Sequence, residues 1–204
     1  MSDKIRVLQA LRLKGRPQLA DVVSATGLDE AALAPVLAEL AAAELSTEAN
    51  GRYRLTKPGR DELTRLIADE RTGVDQAALT ELYHEFDAHN SAFKQLVTDW
   101  QLKDGVNPND HTDVEYDNKI VQRLGELHTD FRPLVERMVA VAPRLTPYPG
   151  RFDAALAKVR AGESTWFARP LIDSYHTVWF ELHEDLIGLA GLSRAEEAAA
   201  GRAE

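Results

Sequence analysis

Apolar residues recur every three or four positions through most of the chain, and this spacing predicts a mainly helical protein. Near the start it predicts three short helices. The first ends near Gly15, and the second runs from about Pro17 to Gly27. The third follows Asp29, a capping residue, and runs to about Ala43. The inward positions of these helices are expected at Ile5, Val7, Leu8, Leu11, Leu13, Leu19, Val22, Val23, Leu33, Val36, Leu37 and Leu40.

A short alternating pattern follows the third helix. Two β-prone stretches flank the turn residues Asn50 and Gly51, which is typical of a β-hairpin. Three helices and a hairpin predict an N-terminal winged helix-turn-helix in residues 1–71. The phrase Leu-Thr-Lys-Pro-Gly-Arg at 55–60 resembles the end of the wing in MarR-type bacterial regulators. That resemblance implies a DNA-binding transcriptional regulator.

Helical periodicity continues over longer stretches in residues 72–192 and predicts an antiparallel helical bundle. The three long helices are expected over about 75–103, 112–138 and 165–189. Ser193 and Glu196 have the spacing of a capping box, so residues 193–204 are expected to form a helical tail that frays.

Turn-forming residues are expected to interrupt this bundle. Residues 103–110 are polar and rich in Asp, Asn, Gly and Pro, which predicts a loop without regular structure. Pro133 can kink the second long helix. A short helix is expected over Asp153–Arg160, ending at Gly162.

The formal net charge of −9 is unevenly distributed along the 204 residues. Residues 1–71 hold 11 Lys/Arg and 11 Asp/Glu, a net of 0, and residues 72–204 hold the remaining 13 and 22, a net of −9. The first segment could therefore approach a polyanion, whereas the second should not. With no cysteine, no leader and no long apolar run, we expect a cytoplasmic protein that has no membrane partner.

Basic side chains surround the predicted hairpin and the end of the first helix. The candidate DNA contacts are Arg12, Lys14, Arg16, Arg52, Arg54, Lys57 and Arg60. Such groups bind the phosphate backbone but do not read bases. The third helix offers seven alanines, Pro35 and carboxylates, with none of the side chains that read base edges. The alternative interpretation is that the basic groups are solvated and paired with nearby acids.

The bundle suggests a metal site and an effector pocket, although packing alone explains the same residues. The candidate metal ligands are His89, His128, His176 and His183, and the candidate pocket residues are Phe93, Trp100, Tyr175, Trp179 and His183. The di-iron signature Glu-x-x-His occurs only once, as Glu81 to His84, so a metal is the weaker interpretation. No enzyme motif is present, and we predict neither catalysis nor a cofactor.

Two functions follow from these patterns. The first is a transcriptional regulator that binds DNA as a homodimer, with dimerisation and ligand sensing in the bundle. The second is a protein-interaction or regulatory module that does not bind DNA. It is favoured by the acidic, alanine-lined third helix, whereas the basic wing favours the first. The stretches 8–15 and 173–185 also resemble segments accompanying phosphoenolpyruvate-utilising, dikinase-type proteins of actinobacteria. This second resemblance implies a protein partner.

Overall fold

A computed structural model describes residues 3–199, except for the side chain of Glu196. The helices are α1 (Asp3–Lys14), α2 (Leu19–Thr26), α3 (Glu30–Ala42), α4 (Lys57–Thr72), α5 (Gln76–Gln101), α6 (Val114–Val141), α7 (Pro147–Arg160), α8 (Thr165–Ala168), α9 (Tyr175–Ala190) and α10 (Arg194–Ala199), with a 3₁₀ turn at Pro143–Leu145. The strands are β1 (Ser46–Ala49), β2 (Arg52–Leu55), β3 (Leu102–Lys103) and β4 (Asn107–Pro108). The prediction of a mainly helical chain with a small antiparallel sheet is confirmed.

The first three helices begin and end where their capping residues predict. The Asp29 carboxylate accepts a hydrogen bond from the Ala32 amide at 2.8 Å and caps α3. Gly27 ends α2 with a φ of +69°. α1 packs against α2, α3 and α4 and buries Val7, Leu8 and Leu11 completely.

The hairpin follows α3 directly. β1 and β2 pair antiparallel, from Ser46 opposite Leu55 to Ala49 opposite Arg52. The two turn residues have φ values of +54° at Asn50 and +73° at Gly51, the conformation that Asn-Gly turns adopt in two-residue hairpins. Both faces of the ribbon are largely exposed, so the hairpin projects from the helices.

The second half of the chain is built on the α5/α6 pair. Glu85 contacts Arg137 near one end of the pair, and Asp99 contacts Arg123 near the other, so the two helices run antiparallel. α7 and α9 pack against them. Their shared core is aromatic, with the Trp179 ring stacked 4.4 Å from Phe93 and lying 4.3 Å from Phe131.

Two separate hydrophobic clusters result. One joins buried side chains between Ile5 and Leu63, and the other joins those between Leu79 and Leu189. α4 ends at Thr72, and α5 begins after Asp75, whose carboxylate accepts hydrogen bonds from two amides of the first turn. None of the helices in the described part of the chain is both long enough and apolar enough to cross a membrane.

Several element boundaries differ from the sequence prediction. The long helix predicted over 165–189 is two helices, because Pro170 and Leu171, with a φ of +68°, interrupt it. The loop predicted at 103–110 contributes to the short β3/β4 ladder. α6 is capped by Asp113 instead of Thr112.

Proline effects also differ from expectation. Pro133 lies within α6 without interrupting it. α7 begins at Pro147, six residues before the predicted start, because proline is well suited to the first position of a helix.

The C-terminal tail starts as a helix. α10 buries Glu197, whose Oε2 accepts a hydrogen bond from the Tyr83 hydroxyl at 2.6 Å. The tail was predicted to fray over 193–204, and residues 200–204 lie outside the described residues.

The junction between the hairpin and α4 gives the first test. A Cβ atom at Gly59 would overlap the Leu45 carbonyl oxygen and lie 2.7 Å from Leu55 Cδ1. We expect Gly59→Ala to lower the free energy of unfolding by about 1–3 kcal/mol, because the backbone must move apart. The midpoint of urea denaturation measures this. Gly150→Ala in α7 is the matched control, since nothing lies within 4 Å of its Cβ position. Equal midpoints for the two variants would contradict the close packing of α4 against the hairpin.

Candidate functional site: an ion-pair interface between α1 and α9

α9 carries three carboxylates that are almost completely buried. Glu181 exposes 2% of its surface, Asp185 3% and Glu184 8%. Their spacing of three and four residues places them on one side of the helix, and that side faces α1. A buried carboxylate is strongly unfavourable unless it is paired and hydrogen-bonded, so the partners of these groups decide how the two halves of the chain fit together.

Asp185 has donors from three different elements. It accepts hydrogen bonds from Gln9 Nε2 in α1 at 2.7 Å, from Arg144 Nη1 at 2.6 Å and from the Tyr148 hydroxyl at 2.5 Å. Arg144 Nε also contacts Glu70 of α4 at 2.8 Å. The Arg144 guanidinium therefore links α4 of the first half to α9 of the second.

These contacts shift the protonation equilibria of the groups involved. Burial disfavours the charged form of Arg144, but Asp185 and Glu70 outweigh burial and raise its pKa. Burial, together with the negative charge of Asp185, raises the pKa of Tyr148 well above its ordinary value. Arg144 thus stays charged and Tyr148 stays a hydrogen-bond donor at neutral pH.

A second cluster surrounds the end of α1. Lys14 Nζ lies 2.6 Å from Asp173 and 3.0 Å from Glu181, and Arg151 contacts the same two carboxylates. Ser24 of α2 also donates to Asp173. Burial alone would raise the pKa of Asp173, but Arg151 and Lys14 lower it below its ordinary value.

Glu184 completes the interface. It accepts a hydrogen bond from Arg12 at 3.1 Å and also contacts Arg194. Within residues 3–199 the interface then contains five cations and five carboxylates: Arg12, Lys14, Arg144, Arg151 and Arg194 with Glu70, Asp173, Glu181, Glu184 and Asp185. The stretches 8–15 and 173–185 supply six of these ten charged groups.

The interface changes the interpretation of the predicted DNA contacts. Arg12 and Lys14 face the acidic bundle and pair with its carboxylates, although Arg12 is still exposed. The remaining basic residues are exposed: Arg16, Arg52, Arg54, Lys57 and Arg60. Arg52 donates to the Arg16 carbonyl at 3.0 Å, and Lys57 pairs with Asp61 at 3.2 Å.

The exposed side of α3 has no basic side chain. It consists of Glu30, Ala31, Ala32, Ala34, Pro35, Ala38, Glu39, Ala41 and Ala42. Residues 16–61, which include α2, α3 and the hairpin, hold 5 Lys/Arg and 7 Asp/Glu, a net of −2. Nucleic-acid interfaces are strongly positive, so this surface lacks the expected charge.

The four histidines proposed as metal ligands do not converge. Among residues 3–199 no group of three His, Asp or Glu side chains is placed to hold a metal ion. Each histidine lies against an aromatic ring: His89 at Phe131, His128 at Tyr175, His176 at Phe93 and His183 at Phe86. Burial lowers the pKa of His183 to about 4, so it is neutral at neutral pH.

The predicted effector residues are only partly brought together. Phe93, Trp179 and His183 line a cavity of about 110 Å³ between α5 and α9. Tyr175 is completely buried and contacts His128 Nδ1 at 3.2 Å. Trp100 stacks on Phe167 of α8 at 4.3 Å. The aromatic stripe therefore serves mainly as core, and a smaller part of it borders a cavity.

The sequence reasoning missed the acidic residues of α9. Their signal was present, because Glu181, Glu184 and Asp185 interrupt a run of apolar residues that is too hydrophobic for a surface helix.

Comparisons with protein-family models, with curated proteins and with solved structures gave no match. Inference about function therefore depends on the ion-pair interface and on the surfaces that it leaves exposed.

Asp185 provides the test of the interface. Asp185→Ala would leave Gln9, Tyr148 and one side of Arg144 buried without an acceptor. We expect the free energy of unfolding to fall by about 3–5 kcal/mol, measured by urea denaturation. Glu85→Ala is the matched control, because Glu85 also receives two hydrogen bonds from an arginine, but at the surface. Its midpoint should change little. A small effect of Asp185→Ala would contradict the importance of the buried pairs.

Proposed function

We propose that the first half of the chain is a winged helix-turn-helix and the second half an antiparallel helical bundle. The order of three helices, hairpin and helix supports the first assignment, and the projecting hairpin corresponds to the wing. The α5/α6 pair with α7 and α9 packed against it supports the second.

We further propose that the chain is a protein-interaction or regulatory module that does not bind DNA and is not an enzyme. The single observation that carries this proposal is the exposed side of α3, which corresponds to the recognition helix. Alanines and carboxylates can neither donate to base edges nor attract phosphate, whereas an exposed surface of small and acidic residues suits a protein partner that has basic residues.

The ion-pair interface supports the same conclusion. Arg12 and Lys14 are occupied within the molecule, and the bundle against which they lie has a large negative charge. A DNA duplex that approached α3 would therefore be repelled by the negative charge of the protein. Homodimerisation, binding of a small-molecule effector and binding of a dikinase-type protein remain predictions from the sequence.

A second candidate function is favoured by one observation. Arg52 and Arg54 are exposed on the hairpin, and neither pairs with a carboxylate in the part of the chain that is described. A wing of this kind could bind phosphate groups without reading sequence. This function is that of a DNA-binding regulator whose contacts are limited to the phosphate backbone of DNA.

One pair of experiments separates the two functions. A photo-crosslinking residue at Ala38, on the exposed side of α3, is expected to give a discrete protein adduct in the native cell, while the same residue at Lys119 of α6 should not. Both sites are exposed. In parallel, fluorescence anisotropy with random duplex DNA at low salt should show no binding, with Arg52→Glu/Arg54→Glu identical to the natural chain.

Binding to the duplex that weakens steeply with added salt and is lost in the double variant would establish the wing function and overturn the first proposal. Identical crosslinking patterns at Ala38 and Lys119 would remove the α3 surface as the partner site.

A further inference from the structure

A basic cleft lies beside the ion-pair interface, between α4 and α9. Its volume is about 430 Å³. The charged residues lining it are Arg12, Arg60, Arg71, Arg194 and Glu184. Among the described side chains, four guanidinium groups and one carboxylate line this cleft, a formal charge of +3, in a chain whose net charge is −9.

Arg71 is the distinctive group in this cleft. It is half-buried, and its guanidinium has no hydrogen-bond or ion-pair partner in the described structure. The side chain packs over Gly191, where a Cβ atom would overlap Arg71 Nη1. Gly191 also has a φ of +73°, a backbone conformation that favours glycine.

The other arginines of the cleft differ in their hydrogen-bond and ion-pair partners. Arg12 shares Glu184 with Arg194. Arg60 makes only a long contact of 3.4 Å to the Leu55 carbonyl. Arg60 and Arg71 therefore carry positive charge into the cleft that none of the described carboxylates neutralises.

The rest of the lining is largely apolar. It consists of Leu63, Thr64, Ile67, Ile187, Gly188, Gly191 and Leu192. Apolar surface beside convergent charged groups is a combination found in small-molecule sites. Guanidinium groups bind carboxylates and phosphates through paired hydrogen bonds.

We propose that this cleft binds a small organic anion, with a carboxylate or phosphate group held by Arg71 and Arg60 and an apolar body against Leu63, Ile67 and Ile187. The walls come from α1 and α4 on one side and from α9 on the other. A bound anion therefore connects the two halves of the chain and stabilises their arrangement.

The test uses phenyl phosphate and benzoate as probes in isothermal titration calorimetry at low ionic strength, with the complete chain. We expect at least one probe to bind, and the probe that binds more tightly shows whether the cleft prefers a phosphate or a carboxylate group. Arg71→Gln should weaken that binding at least roughly tenfold, because it removes the charge without orphaning a partner. Arg137→Gln is the matched control, since Arg137 lies on α6 outside the cleft.

The contributions of the two parts of the ligand are tested separately. Inorganic phosphate should bind more weakly than phenyl phosphate, and benzyl alcohol, which has no charge, should not bind. The unfolding temperature of the natural chain should rise with the preferred probe, and that of Arg71→Gln should not. No binding of either probe at millimolar concentration, or equal binding by Arg71→Gln, would overturn the proposal.

Discussion

Buried carboxylates on α9 must be paired, and the groups that pair them come from both halves of the chain. Asp185 accepts hydrogen bonds from Gln9, Arg144 and Tyr148, and Arg144 extends the same network to Glu70. An unpaired charge at this depth would cost several kcal/mol. The two halves are therefore fixed relative to each other by electrostatics as well as by apolar packing.

This constraint determines which surfaces remain for partners. α1 contributes Gln9, Arg12 and Lys14 to the interface, so its C-terminal end is used internally. α3 and the hairpin project on other sides, where the alanine-rich surface and the exposed Arg52 and Arg54 lie. The fold thus presents a small-residue acidic surface next to a basic hairpin. The first surface suits a protein partner, and the second suits a phosphate backbone.

Local signals predicted the elements well. Asn50 and Gly51 determine the hairpin because both adopt positive φ, and Asp29 and Asp75 determine the starts of α3 and α5 because their carboxylates bind free amides. The break before α9 had a local signal in Pro170, but the continuous apolar pattern around it favoured one helix. The proline predicted a break and the apolar periodicity predicted one helix, and the chain breaks at the proline.

The interface could not be predicted in the same way. Gln9 and Asp185 are separated by 176 positions, and nothing in either segment identifies the other as its partner. The basic residues at the end of α1 were compatible with binding phosphate or carboxylate, and only the tertiary structure shows that carboxylates of α9 take them. The cleft at Arg71 likewise forms only where α4 packs against α9 in the tertiary structure.

The central claim is that the ion pairs hold the two halves in one arrangement. The chain has no cysteine, so spin labels can be placed on single cysteines at the exposed positions Ala38 in α3 and Ala88 in α5. Double electron–electron resonance between the two labels should give one narrow distance distribution in the otherwise natural chain and a broader one when Asp185→Ala is added. A distribution that is equally broad in both would contradict the claim.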